Sequence, residues 1–227
     1  MWMIATRDRP EAMRDLIVAV TRLGDVPPTA VMVDLGERQA EYRNLPWPEG
    51  WAIHYADDHL ELSRALNELL ALHPGESWYG MMTDHARPLS TCWSERLARD
   101  AGAWGIACSD DRRDRKHPVH GWQRLTGAIA FGGELVRTVG WLWLPDVVHL
   151  YGDDAWELIG HRLGILKLSK AVVDDLLVCE GQFPKDGNSQ RVFLGAPYTL
   201  NDQAAYRRWM ILSSGSIISR VRKAMTA

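Results

Sequence analysis

The sequence predicts an α/β fold in which a mixed, mostly parallel sheet is flanked by helices. Strand-like and helix-like segments alternate from residue 2 to residue 84 with short connections. The helical segments carry apolar residues at i, i+3, i+4 and i+7, the mark of a helix with one buried face. The strand segments are short apolar runs, and several end on polar side chains where a turn dipeptide would be usual.

Taken in order, "MWMIAT" is a first strand and Thr6-Arg7-Asp8-Arg9-Pro10 the turn after it. In "PEAMRDLIVAVTRLG" the residues Met13, Leu16, Ile17, Val20 and Leu23 form one stripe, with Pro10 at the start and Gly24 at the end. "TAVMVDLG" is a second strand ending at Asp34, and "WAIHYAD" a third. "LELSRALNELLALHPG" is a second helix, closed by Pro74-Gly75. "SWYGMMTD" is the next strand and ends at Asp84; "AWGIACSDD" is another, ending in Asp110-Asp111. "RRDRKHPVHGWQR" is a polar, basic loop. "TGAIAFGGELVRTVGWL" is a strand and then a short helix from about Gly133. "DDAWELIGHRLGIL" is a helix, "AVVDDLLVCE" a final strand, and the chain from Asn201 a terminal helix broken between Ser213 and Ser216. This organisation divides the chain into one domain, 1–200, and a helical tail, 201–227, packed on it.

Composition narrows the function. A chain of 227 residues with 46% hydrophobic and 24% charged residues is ordinary for a globular protein. Its net charge of −3 predicts no general attraction to nucleic acid or acidic membranes, so any basic surface is local. Cys92, Cys108 and Cys179 are odd in number and form no C-x-x-C pair, which argues against a disulfide framework or a zinc ribbon. They read as free thiols in a reducing compartment, hence a cytoplasmic location. Arg7, Asp8 and Arg9 precede any long apolar run, so no secretory leader is expected. No apolar stretch approaches the ~18 residues that a membrane span needs. There is no G-x-G-x-x-G and no Walker sequence. The 11 tryptophans suit a packed core, and also stacking on sugars or bases.

In an open parallel sheet, ligands sit beyond the carboxyl ends of the strands. Thr6 to Arg9, Asp34, and Asp84-His85 all fall at such ends and are expected to converge on one edge. An acid there is expected to lie outside the core.

Several stretches together resemble GT-A glycosyltransferases related to family 2. "ATRDRPEAMRDLI" resembles the opening S-R-x-R-P turn and helix of that group. Asp34 stands where an acid often ends the second strand, and "YGMMTDHARP" resembles the strand carrying the metal-binding D-x-D or D-D element. "GAWGIACSDD" fits the strand that follows. "GWLWLPDVVHLYGDDAWELIGHRLG" resembles the H-L-Y-x-D-N-x-W-x-x-L-G block of bacteriophage-type members. The resemblance spans most of residues 2–180. It implies a GT-A-like, Rossmann-type fold and transfer of a sugar from a nucleotide-sugar donor, UDP-sugar above all, to an acceptor hydroxyl. It further implies a divalent cation, Mn2+ or Mg2+, held at Asp84 with His85. Thr6, Arg7, Arg9, Asp34, Thr83 and Asp84 would contact the donor. Asp153 falls on the block's acid and Asp154 on its asparagine, so one of the pair is the implied general base. Either could instead cap the helix that starts there.

The sequence also departs from the family. Thr83 replaces the first acid of the pair. The final strand reads "VVDDLLVCEGQFP" and lacks the usual E-H-x-H histidine, which thins metal coordination or moves it to Asp174, Asp175 or Glu180. A GT-A domain that only binds is therefore the alternative to an active enzyme. Arg112, Arg113, Arg115 and Lys116, followed by His120 and Trp122, form a basic, aromatic stretch suited to an anionic acceptor. With the phage-type block, this suggests 5-hydroxymethylcytosine in duplex DNA, the base flipped against Trp122. A cell-surface glycan is the other acceptor, and a solvated loop the plain reading of the same charges.

Overall fold

A computed structural model describes residues 1–112, 125, 127–175 and 196–227, with only the backbone of 175 and 196–198. Among the described residues, eight strands form one sheet: β1 (Trp2–Thr6), β2 (Thr29–Val33), β3 (Ala52–Tyr55), β4 (Trp78–Met81), β5 (Ala86–Pro88), β6 (Ile106–Asp110), β7 (Ile129–Gly132) and β8 (Leu166–Asp175). Their order is β3-β2-β1-β4-β7-β6-β8-β5. Parallel ladders join β1 to β2, β2 to β3, β1 to β4, and β6 to β8. β7 runs antiparallel between β4 and β6, and β5 antiparallel to β8. The sheet is thus mixed and mostly parallel, with helices on both faces, as the alternation in sequence predicts. The chain winds outward from β1 through β2 to β3 and then returns to β4 on the other side of β1. That reversal between β1 and β4 is where ligands sit in open α/β sheets.

Both faces are buried. Trp2 and Ile4 of β1 pack with Met13, Leu16, Ile17 and Val20 of α1 (Pro10–Leu23) and with Trp93 and Leu97 of α3 (Trp93–Ala101). Met3, alternating with them, joins the opposite layer. That layer holds α2 (Leu62–Leu72), α4 (Gly133–Val139), α5 (Gly152–Leu163), α6 (Ala196–Leu212) and α7 (Ser214–Met225). The tryptophans do much of the filling. Trp2 lies 4.8 Å from Trp93, and Trp156 lies 4.7 Å from Trp141, ring centre to ring centre.

Some elements were not expected from sequence. The strand that was to end at Asp84 stops at Met81, and Thr83 to Ala86 form a turn closed by Ala86 N donating to the Thr83 carbonyl at 3.1 Å. β5 follows at once. α3 and a 3-10 helix at Gln39–Asn44 also went unread, because each shows only a few apolar positions. β8 begins at Leu166, five residues earlier than read, and its expected continuation to Glu180 lies outside the described residues. The break at Ser213 separates α6 from α7 as expected, while α6 starts at Ala196, so residue 200 falls within a helix.

Gly80 marks the tightest packing against β1. A Cβ built there would lie 2.2 Å from Cε3 of Trp2, inside a ring that cannot retreat because Trp93 backs it. Gly80→Ala is expected to cost about 1–3 kcal/mol of unfolding free energy or more. Urea titration checks this, and an unchanged midpoint would show that the Trp2 layer can yield.

Candidate active site

Three turns meet at the carboxyl edge of β1, β2 and β4. The β1 turn is strained: Asp8 takes φ +56° and receives the Arg38 N–H on its carboxylate at 2.9 Å. That geometry turns Thr6, Arg7 and Arg9 toward this edge. Thr6 donates to Asp84 Oδ2 at 2.7 Å and shares a 2.9 Å bond with the Tyr42 hydroxyl. Tyr42 in turn accepts the Arg9 N–H at 2.8 Å.

Asp84 is only 4% exposed. Its Oδ1 lies 3.1 Å from His85 Nδ1 and 3.6 Å from the Arg9 guanidinium. Burial alone would raise this carboxyl. The His85 hydrogen bond, the Arg9 charge and the Thr6 hydroxyl outweigh it and hold Asp84 below the ordinary carboxylate value. The expectation that a strand-end acid stands outside the core is therefore corrected. Asp84 sits in a turn and ties two turns together, and Arg87 braces that turn by donating to the Asp84 and Ala86 carbonyls at 3.2 and 2.8 Å.

Asp34 is buried as well. Its Oδ1 accepts backbone N–H groups from Leu35 at 2.8 Å and Leu60 at 2.6 Å. Its Oδ2 faces Arg7 at 3.2 Å and His59 Nδ1 at 2.9 Å. Burial raises its pKa, against the pull of Leu60, His59 and Arg7. His59 escaped the sequence reading, although "ADDHL" ends the third strand on the same edge.

The loop before α5 is held from α6. Asp202 of α6, itself 1% exposed, accepts the N–H groups of Val148, His149 and Leu150 at 2.7, 2.9 and 2.8 Å. Tyr206, one turn further along α6, stacks on Tyr151 with ring centres 5.4 Å apart. Tyr151 takes φ +68° directly before α5, whose first turn carries Asp153 and Asp154, both half-buried. His149 feels the charges of Asp202, Arg9 and Arg7, which links this loop to the β1 turn. Asp202 and Tyr206 had no motif to reveal them.

Thr83 is exposed at the first position of the Asp84 turn. Arg112, at φ +62°, is exposed beyond β6 and donates its N–H to Asp110 at 2.7 Å. Arg113, Arg115, Lys116, His120 and Trp122 lie outside the described residues, as does Glu180. Among the described residues no three His, Cys, Asp or Glu side chains form a metal-sized group. Asp84 and His85 offer a carboxylate and an imidazole at one point. A carboxylate with an imidazole suits a borderline cation such as Mn2+ that keeps its waters and takes further oxygens from a diphosphate, and does not make an all-protein cage.

His149 gives the site a pH signature. Burial pushes its pKa from 6.5 to about 4; Asp202 opposes the drop, and Arg9 and Arg7 reinforce it. The unfolded chain therefore binds the proton more readily between those values. Stability is full above pH 6.5 and falls as pH drops toward 4, at up to about 1.4 kcal/mol per pH unit. His149→Gln should flatten that slope in urea titrations run across the window. An equal slope in the variant would place the titrating group elsewhere.

No family model matches the chain, and no curated protein matches it. Solved structures do. The chain is similar to the mannosyltransferase PcManGT of Pyrobaculum calidifontis in complex with GDP-Man and Mn2+, with 14% identity and TM-score 0.57 over 99% of this chain and 73% of that one. It is similar to glucosyl-3-phosphoglycerate synthase of Mycobacterium tuberculosis in complex with Mn2+, UDP and phosphoglyceric acid, at 16% identity and TM-score 0.56 over 77% and 69%. It is also similar to GalNAc-T7 with UDP, GalNAc and Mn2+, at 12% identity and TM-score 0.54 over 77% and 43%. At such identities the likeness establishes the fold, and that fold is the GT-A-like, Rossmann-type one.

Proposed function

We propose that this protein transfers a sugar from a nucleotide-sugar donor to an acceptor hydroxyl. The observation that carries the reading is the convergence of Thr6, Arg7, Arg9, Asp34, Asp84 and His85 on one edge of a GT-A-like sheet. The structural neighbours solved with UDP or GDP-Man support the donor class. In this reading residues 1–200 form the catalytic unit and 201–227 a helical tail packed on it, with Asp202 and Tyr206 of that tail supporting the loop before α5.

Arg7 and Arg9 bring positive charge to the place where a diphosphate would leave, and Asp34 with His59 offers acceptor and donor atoms to a base or ribose. Asp84 and His85 would hold Mn2+ or Mg2+ together with the diphosphate, and the bound cation would offset charge on the leaving group. The acceptor oxygen attacks the anomeric carbon. The bond from that carbon to the diphosphate oxygen breaks with its electron pair, and the acceptor proton passes to Asp153.

Asp153→Asn should lower turnover ~10²–10⁴-fold with donor affinity nearly kept. If Asp154→Asn shows the loss instead, the base is its neighbour; if neither does, the acid pair only caps α5. Asp84→Asn preserves the shape of this buried turn while removing the charge. It should abolish Mn2+-dependent binding of UDP in calorimetry. The parent test is hydrolysis of a panel of sugar nucleotides with manganese and with chelator. UDP binding without any turnover would favour the binding-only alternative.

The finer acceptor, 5-hydroxymethylcytosine in duplex DNA, rests on the basic stretch 112–116 and the phage-type block alone. Duplex carrying that base should accept labelled sugar and unmodified duplex should not. Absence of duplex binding at low salt, where attraction is strongest, would leave a glycan acceptor.

A further inference from the structure

The exposed face of α6 sets large aliphatic side chains beside arginines. Ile211 and Leu212, at its carboxyl end, are 77% and 72% exposed, and Leu200 further back is 65% exposed. Arg207 and Arg208 are exposed one turn before Ile211, on the same side of the helix. Trp209 and Ala205 turn the other way into the core, so the helix is already anchored and does not need this face for folding. From Gln203 to the end the chain carries Arg207, Arg208, Arg220, Arg222 and Lys223 and no acid, within a protein of net charge −3. Arg220 and Arg222 lie in the last two turns of α7, away from the break, and donate to the Val139 and Arg162 carbonyls at 3.2 and 3.4 Å, so Arg207 and Arg208 are the cations at the corner itself.

We propose that the α6–α7 corner docks on an anionic lipid surface, with Ile211 and Leu212 entering the headgroup boundary and Arg207 and Arg208 pairing with lipid phosphates. Two features select this occupant. Large aliphatic side chains at such exposure gain from leaving water, which a nucleic acid backbone would not offer them. Arginines flanking them keep their guanidinium groups at headgroup level while their stems lie along the apolar layer. The contact is peripheral, since no helix among the described residues is long and apolar enough to cross a membrane. Nothing in it depends on the sugar-transfer reading.

The test is sedimentation of the full chain with vesicles of phosphatidylcholine containing phosphatidylserine, and of phosphatidylcholine alone. Binding is expected only to the anionic vesicles, and it should weaken as salt rises. Ile211→Ser with Leu212→Ser should weaken it at least about tenfold, and Arg207→Gln with Arg208→Gln should reduce its salt dependence. All four positions are exposed, so circular dichroism and melting should be unchanged. No binding to anionic vesicles would overturn the proposal. Binding that ignores the serine pair would overturn it too. So would a dimer of the wild-type chain that the serine pair dissociates, which would assign the face to a second copy, or duplex binding that needs the arginines and not the aliphatic pair.

Discussion

A carboxylate removed from water must find compensation nearby or lose its charge. Asp84 is buried at the mouth of the sheet, and its compensating groups come from the β1 turn and from its own turn. Thr6 ends β1, Arg9 opens α1, and His85 follows in the same turn. The arrangement locks the β1 and β4 turns into one unit. Thr6 then hands the network to Tyr42, and through it to the 3-10 helix after β2. Asp34 repeats the device one strand away, with Leu60, Arg7 and His59. Two buried acids with arginine partners thus fix the positions of the cations that a diphosphate would meet. Such preorganisation is costly without a ligand and useful with one.

The loop before α5 depends on α6. Asp202 supplies three backbone N–H groups with an acceptor, and Tyr206 supports the positive-φ tyrosine that starts α5. The acid pair is therefore placed by a helix near the chain's end. The same helix turns its far side to solvent with aliphatic and arginine side chains. One element then serves the site through its buried face and a lipid surface through its exposed one.

Much of this was legible in the sequence. The alternation through residue 84 gave the sheet, because parallel strands buried on both faces must be short apolar runs between amphipathic helices. The polar strand ends gave the edge, and Thr6, Arg7, Arg9, Asp34 and Asp84 do meet there. What was illegible was contact between distant segments. Nothing local says that Asp202 caps residues 148–150, or that Tyr42 bridges Thr6 and Arg9. The end of β4 was misread for a related reason. Met82 is as apolar as Met81, and only the turn geometry of Thr83 to Ala86, set by the pairing of β5 with β8, shows where the strand stops.

The central claim is that this edge, assembled by two buried carboxylates, receives a nucleotide diphosphate. Histidine side-chain resonances report on it directly, since His59, His85 and His149 line the edge while His54 and His73 pair with each other at 3.0 Å away from it. Titration with UDP and Mg2+ should move the nitrogen shifts of His59, His85 and His149 together and leave those of His54 and His73 unchanged. Movement of the His54–His73 pair alone, or of none of the five, would contradict the account.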